Sequence, residues 1–473
     1  MEQRKHVLEY LMYLKEKRNE QIKGRGCADG RKQRLWTDKC DSSSPTAALE
    51  SLMITATINA YEGRDVAAVD IPGAFPQTEQ DDDEVIHVKL HAKMATLLAE
   101  INPDKYKPYL RTEGGKPVIY MKLKKCLYGT LHASLQFWKD LSGVLQEWGF
   151  ELNEYDKCVA NKIIRGKQCT ILWHVDNLII LHVEPNVITM IINQLSQCFG
   201  KVSALTATRG KKHDYLGMVL DYSIPGKVSI DMSTYTRQVL ADLPDYYNEL
   251  DTTPARNGLF SIDTKAPDPA SDYANAFHTL VAKLLFLSMW ARTNILTAVA
   301  FLCTRVSCPT LQDKAKLCQV LRYLQNWSDL VLKLEADSLS VLKWWVDASF
   351  AVHPDMRSHT GASMSLSKGS VVSMSNKQKL NTRSSTEAEL VGVDDAMPRI
   401  LWTRYFLQAQ GYDTQPSTLF QDNQSTILLA NNGTPPVANA LNTLTSDTTD
   451  RVKKNEIVLK RMKSTLNIAP QKR

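Results

Sequence analysis

The chain has no CxxC pair, no apolar run approaching the ~18 residues that a membrane helix needs, and no internal repeat. Its nine cysteines are Cys27, Cys40, Cys126, Cys158, Cys169, Cys198, Cys303, Cys308 and Cys318. An odd number at irregular spacing argues against a zinc ribbon and against a disulfide framework, so they read as reduced thiols of an intracellular protein. Met1 to Glu20 carries Arg4, Lys5, Lys15, Lys17 and Arg18 and no unbroken apolar stretch, which excludes a signal peptide there. Charge of one sign is also scarce. A net +6 over 473 residues favours a polyanionic partner only weakly. What remains is an ordinary globular mixture, 43% hydrophobic and 23% charged, too long for a single core. Two to three domains are expected.

Apolar residues at helical spacing predict an amphipathic helix over residues 3–20. A basic segment follows, Lys23 to Arg34, with Lys23, Arg25, Arg31 and Lys32 interleaved with glycine, which predicts a loop or hairpin. Residues 45–61 read as a helix, and residues 66–71, 85–90 and 118–123 as strands. Residues 133–149 form a helical pattern, and 168–172 with 174–182 a hairpin. A stretch rich in Asp, Pro, Thr and Asn, about 245–272, reads as a linker before two or three helices up to residue 330. A second strand-rich unit starts near Val341, with a helix over about 386–410 and a strand near 417–421. The fold class is therefore α+β.

Two places carry chemistry in the first half. Asp70 ends an apolar strand, with Phe75 five residues on, and Asp176 sits at the turn of the later hairpin, His174-Val175-Asp176-Asn177. Carboxylates on neighbouring strands can hold two magnesium ions for nucleotidyl transfer. Either one alone is equally what a turn cap looks like. The surrounding motifs add to this. Leu123-Lys124-Lys125-Cys126-Leu127-Tyr128-Gly129, with His132-Ala133 and Phe137-Trp138, follows the first carboxylate; Gly149-Phe150, Asp156, Cys158 and Val159 come next, and Asp214-Tyr215-Leu216-Gly217-Met218 lies beyond the turn. In order and spacing this resembles the reverse transcriptase of copia-type retrotransposons. The resemblance implies that Asp70 and Asp176 are catalytic metal ligands and that Phe75 and His132 lie at the nucleotide. It implies that Lys23, Arg25, Arg31, Lys32, Lys124, Lys125, Tyr215 and Gly217 meet nucleic acid. The basic segment read by itself is also compatible with a solvated surface. Two positions depart from the family: Asn177 stands where a second turn Asp is usual, and His132 where Gln is usual.

The second half carries Trp344-Trp345-Val346-Asp347, Arg357 to Gly361, Lys377-Gln378, Ser384-Ser385-Thr386-Glu387-Ala388-Glu389 and Asp422-Asn423-Gln424-Ser425. These resemble the ribonuclease H of the same elements. The resemblance implies Asp347, Glu389 and Asp422 as catalytic metal ligands, with Glu389 preferred over Glu387 by helix register. Asp447 and Asp450 are candidates for a fourth carboxylate. Arg292-Thr293-Asn294 matches a connecting segment in which the family has Pro-Asp after the Arg. The resemblance spans about residues 5–432 and implies a right-hand polymerase, fingers and palm, over 1–245. A linker and helical thumb or connection over 246–335, an α/β ribonuclease-H-like domain over 336–432 and an irregular tail over 433–473 follow. The implied activity is RNA-directed DNA synthesis with template degradation, weakened by Asn177; the other reading is an inert nucleic-acid-binding remnant. The implied cofactor is Mg2+ or Mn2+. The implied partners are RNA template, DNA primer, RNA–DNA hybrid and deoxynucleoside triphosphates, without a membrane, in the cytoplasm within a virus-like particle or in the nucleus. Parts corresponding to capsid, protease and integrase of such polyproteins are not matched.

Overall fold

The computed structural model describes residues 7–16, 20, 22–38, 42–80, 85–241, 250–263, 265–267, 273–433 and 439–462. They form two compact units, one of residues 1–47 and 67–208, the other of residues 48–66 and 209–473.

The first unit is built on two sheets. In one, the strand order is Ile22–Ala28, Val7–Glu16, His87–His91, Lys116–Lys122 and Arg111–Glu113. Its core gathers Leu8, Ile86, Val88, Leu90 and Ile119. Of the helix expected over 3–20, the described residues 7–16 form a strand instead. Tyr10 to Glu16 pair with Ile22 to Ala28 as an antiparallel ribbon. Leu8 is buried while Leu11, Met12, Tyr13 and Leu14 are exposed, so no continuous helical stripe is covered. A short apolar run fits either period, and cross-strand pairing decides it. The basic segment is the second strand of this ribbon followed by a 3-10 turn, Gly30–Leu35.

The other sheet runs Thr206–Arg209, Asp65–Asp70, Asn177–His182, Lys167–His174, Val159–Ile164 and Glu151–Leu152. Alternate residues Ala67, Val69 and Ile71, with Ile171, Trp173, Leu178 and Ile180, face one layer. The helices Ala133–Glu147 and Pro185–Phe199 cover that layer with Phe137, Leu141, Leu145, Val187, Ile191 and Leu195. The period-2 pattern thus puts the strand ends, and the carboxylates on them, at one edge of a solid core.

The second unit takes the helix Leu49–Glu62. That helix lies on a sheet ordered Lys212–Tyr215, Met218–Asp221, Lys227–Asp231, Leu332–Ala336 and Ser367–Lys368. The helices Tyr273–Trp290, Leu296–Cys303 and Leu311–Asn326 precede a further sheet. Its order is Val372–Lys377, His359–Ser365, Lys343–Ser349, Ser417–Gln421 and Ile457–Arg461. The last three run parallel, and the helix Ser385–Ala409 rests on Lys343–Ser349. Gly392 faces Ala348, Val346 and Thr360 there, and a Cβ at that position would sit in ordinary contact at 3.4–3.7 Å.

The irregular tail expected beyond residue 433 is corrected by two elements among its described residues, the helix Asn439–Lys453 and the strand Ile457–Arg461. Ile457 is fully buried, and the strand adds in register to Ser417–Gln421. The eight described cysteines are free; Cys40 lies outside the described residues. Among the described residues no helix is long and apolar enough to cross a membrane.

Candidate active sites

The first unit brings Asp70 and Asp176 together. Asp70 is the last residue of its strand, and Ile71 N–H donates to the Asp176 carbonyl at 3.0 Å. Asn177 pairs with His174, leaving Val175 and Asp176 as a two-residue turn. Val175 has φ +58°, a conformation that a β-branched residue adopts only under local strain. Burial raises the Asp70 pKa, the Asp176 charge raises it further, and Lys23 partly offsets both. The Asn177 amide donates Nδ2–H to Asp176 Oδ1 at 2.9 Å.

Around this pair stands an aromatic and basic wall. The Phe75 ring lies 4.9 Å from the Tyr128 ring and 6.4 Å from Phe137. Arg25 stacks on the other partner of that wall, 4.6 Å from the Tyr128 centroid. In the ribbon, Lys15 pairs with Lys23 and Tyr13 with Arg25, so these four side chains share one face. Gly129 explains the Leu-Tyr-Gly motif. It has φ +89°, and a Cβ there would meet the Ala28 carbonyl oxygen at 2.1 Å. Only glycine lets the Tyr128 loop lie against the ribbon, where Ala28 N–H donates to Tyr128 O at 2.7 Å.

The remaining expected residues fall in different places. His132 is half-buried at the start of the helix Ala133–Glu147. Arg31 is exposed and forked onto Asp29, at 2.8 and 2.6 Å. Lys32, Lys124 and Lys125 are exposed. Lys125 bridges to Glu79 through its backbone. Tyr215 and Gly217 lie in the second unit, where Leu216-Gly217 is a two-residue turn between paired strands and Tyr215 is buried. Sequence reasoning passed over Gln33. It is fully buried, and its Oε1 accepts Leu131 N–H at 2.9 Å, which ties the basic segment to the loop before His132.

The second unit gathers three carboxylates. Among the described residues, Asp347, Glu389 and Asp422 place ligand oxygens within 4.8 Å of one another. Asp347 comes from Lys343–Ser349, Asp422 follows Ser417–Gln421, and the parallel pairing of those strands brings the two ends level. Glu389 reaches in from the first turns of Ser385–Ala409; its Oε1 accepts Ala348 N–H and its Oε2 accepts Gln421 Nε2–H, both at 3.1 Å. Glu387 is used otherwise. Its carboxylate accepts Arg383 N–H at 2.7 Å, and its own N–H donates at 3.2 Å to Oγ of Ser384, which caps the helix.

Burial, then the Asp347 charge, push the Glu389 pKa up to about 8. Burial and the Asp422 charge raise Asp347 as well. Without a cation the group therefore retains a proton near neutral pH. Three convergent carboxylates, Glu389 buried, Asp347 half-buried and Asp422 exposed, form the donor set a hard dication prefers. The other matched motifs frame this group. Gln378 Nε2 donates to Thr360 Oγ1 at 3.0 Å and to the Ala388 carbonyl at 2.8 Å. Asp447 and Asp450 lie outside the cluster; Asp447 is exposed, pairs with Arg451 at 3.3 Å and repels Asp394.

The fold is that of a viral reverse transcriptase. A foamy viral protease–reverse transcriptase, solved in complex with double-stranded DNA, is similar over 97% of this chain and 66% of its own, with a TM-score of 0.57 at 11% identity. The chain belongs to the reverse transcriptase (RNA-dependent DNA polymerase) family, whose model matches residues 3–255. Its relatives are Pol polyproteins of copia-type retrotransposons. The retrovirus-related Pol polyprotein from transposon RE1 of Arabidopsis thaliana is 26% identical over 417 residues, 86% of this chain and 26% of that protein. The Transposon Ty1-GR1 Gag-Pol polyprotein of Saccharomyces cerevisiae is 23% identical over 375 residues, 74% of this chain and 21% of that protein. The chain thus spans about a quarter of the length of these relatives.

Proposed function

We propose that the chain is the RNA-directed DNA polymerase and ribonuclease H portion of a copia-type Pol polyprotein, with a polymerase centre weakened by Asn177. The observation that carries the polymerase reading is the backbone hydrogen bond from Ile71 to Asp176, which sets two carboxylates side by side at neighbouring strand ends. When bound, a magnesium pair supplies activation of the primer 3′-hydroxyl and charge neutralisation on the leaving pyrophosphate. Asp70 and Asp176 would hold that pair. Lys23 and Arg25 offer cations to the triphosphate from the same ribbon face. Phe75, braced by Tyr128 and Phe137, presents a flat wall that excludes a ribose 2′-hydroxyl.

Asn177 supplies no charge, and its N–H occupies an oxygen that a metal would need. Asp347, Glu389 and Asp422 would hold a second pair, which when bound would supply activation of a water toward the RNA strand of a hybrid. Proton retention by Glu389 makes cation binding a proton-releasing step. The substrates in this reading are an RNA template, a DNA primer, deoxynucleoside triphosphates and the resulting hybrid, in a virus-like particle or the nucleus.

The test is primer extension on an RNA template with magnesium and with manganese. The expected result is weak extension by the natural chain, a gain of about 10²-fold in Asn177→Asp, and none in Asp70→Ala. Silence in all variants, with hybrid binding retained, would instead favour the inert nucleic-acid-binding remnant. The amide bond from Asn177 to Asp176 is the observation that supports this second reading.

A further inference from the structure

Gln421 is fully buried directly before Asp422, and all of its hydrogen-bonding capacity is used. Its Oε1 accepts the backbone N–H of Asp422 at 2.8 Å and of Asn423 at 3.0 Å. Both partners are donors only, so the amide can face them in one orientation alone. The Nε2 group must then point the other way. It donates to Glu389 Oε2 at 3.1 Å and to the Val346 carbonyl at 3.4 Å. One side chain therefore touches the three segments that supply the trio: the strand residue before Asp347, the Glu389 carboxylate and the backbone of Asp422.

We propose that Gln421 is a positioning residue that sets the spacing of Glu389 and Asp422 for cation binding. This rests on the ribonuclease reading of the trio. The strand Ser417–Gln421 alternates its side chains, and Leu419 and Gln421 both face the interior. An apolar residue at 421 would fill the space equally well. It would leave one Glu389 oxygen and two backbone N–H groups without their partner. Outer-shell partners of this kind typically change cation affinity by about 10–100-fold when removed.

The experiment measures Mn2+ binding to the full chain by the loss of the free-ion electron paramagnetic resonance signal. Asp70→Asn and Asp176→Asn are included throughout, to silence the other carboxylate pair. Gln421→Met, Glu389→Gln and their combination complete a double-mutant cycle, with thermal melts run beside each. Gln421→Met is expected to weaken Mn2+ binding about tenfold, and to cost clearly less once Glu389 is replaced, the remainder being its hold on the Asp422 backbone. Additive losses, or an unchanged affinity in folded Gln421→Met, overturn the proposal and leave the trio reading intact. If Gln421→Met does not melt cooperatively, Gln421→Thr is measured in its place against the same outcomes. No trio-dependent Mn2+ binding in the parent chain overturns both the ribonuclease reading and this one.

Discussion

Asn177 differs from aspartate by one atom in shape and by a full charge in effect. Its Nδ2–H bond to Asp176 is available only to an amide, so Asn177→Asp both adds a ligand and frees an oxygen. Arg292 shows the same exchange in a structural setting. The residue is 2% exposed and burial lowers its pKa, and among the described residues no carboxylate pairs with it. Its partners are Asn294 Oδ1 at 3.2 Å and the Trp327 carbonyl at 2.7 Å. Asn294→Asp is expected to stabilise the protein by about 1–2 kcal/mol in urea melts, because a charged acceptor strengthens the bond. At Glu389 the folded carboxyl titrates at about 8 against an ordinary value of 4.5. Between those values the folded chain holds a proton that the unfolded chain has lost. Metal-free stability should therefore fall as pH rises through that window and level off above it. Melting temperatures in a chelator from pH 5 to 8.5 check this, and Glu389→Gln should flatten the slope.

At the scale of elements, the turn that carries Asp176 bends through Val175 at φ +58°. Val175→Gly is expected to raise the melting temperature slightly by removing that strain, while lowering extension because the Asp176 backbone is less constrained. The strand Ile457–Arg461 is the other decisive element. It is an edge partner of Ser417–Gln421, whose end carries Gln421 and Asp422. A chain ending at residue 432 should lose trio-dependent Mn2+ binding and the cooperative melt of its unit, measured by resonance titration and by circular dichroism. This strand also shows where sequence reading stops. The strands bearing Asp70 and Asp347, and those flanking Asp176, were legible because each alternates or runs apolar beside a motif. Val7–Glu16 and Ile457–Arg461 were not, because each is defined by a partner strand that its own pattern does not name. Gln421 was silent for a related reason: a buried amide beside Asp-Asn looks like any polar strand end until its four partners are seen.

For the whole molecule, the charge balance is a weak guide and the distribution a better one. The net +6 includes exposed Lys23, Arg25, Arg31, Lys32, Lys124 and Lys125, all in the first unit. Binding to an RNA–DNA hybrid is expected to weaken steeply as salt rises. Replacing Lys23 and Arg25 by Ala should shallow that slope by about two counterions, whereas Asn177→Asp should leave it unchanged. Fluorescence anisotropy across a salt series measures both.

The helix Leu49–Glu62 belongs to the later unit, on a sheet that contains Lys227–Asp231 and Leu332–Ala336. The ribosome therefore makes this helix long before it makes its cover. At ~5–20 residues per second the wait for the first of those strands is on the order of ten seconds or more. During that time Leu52, Met53, Ile54 and Ile58, all buried in the finished protein, lack the two strands on which their helix packs. A nascent chain stalled near residue 210 would carry an apolar helix without these covering strands, a natural target for chaperones and proteases.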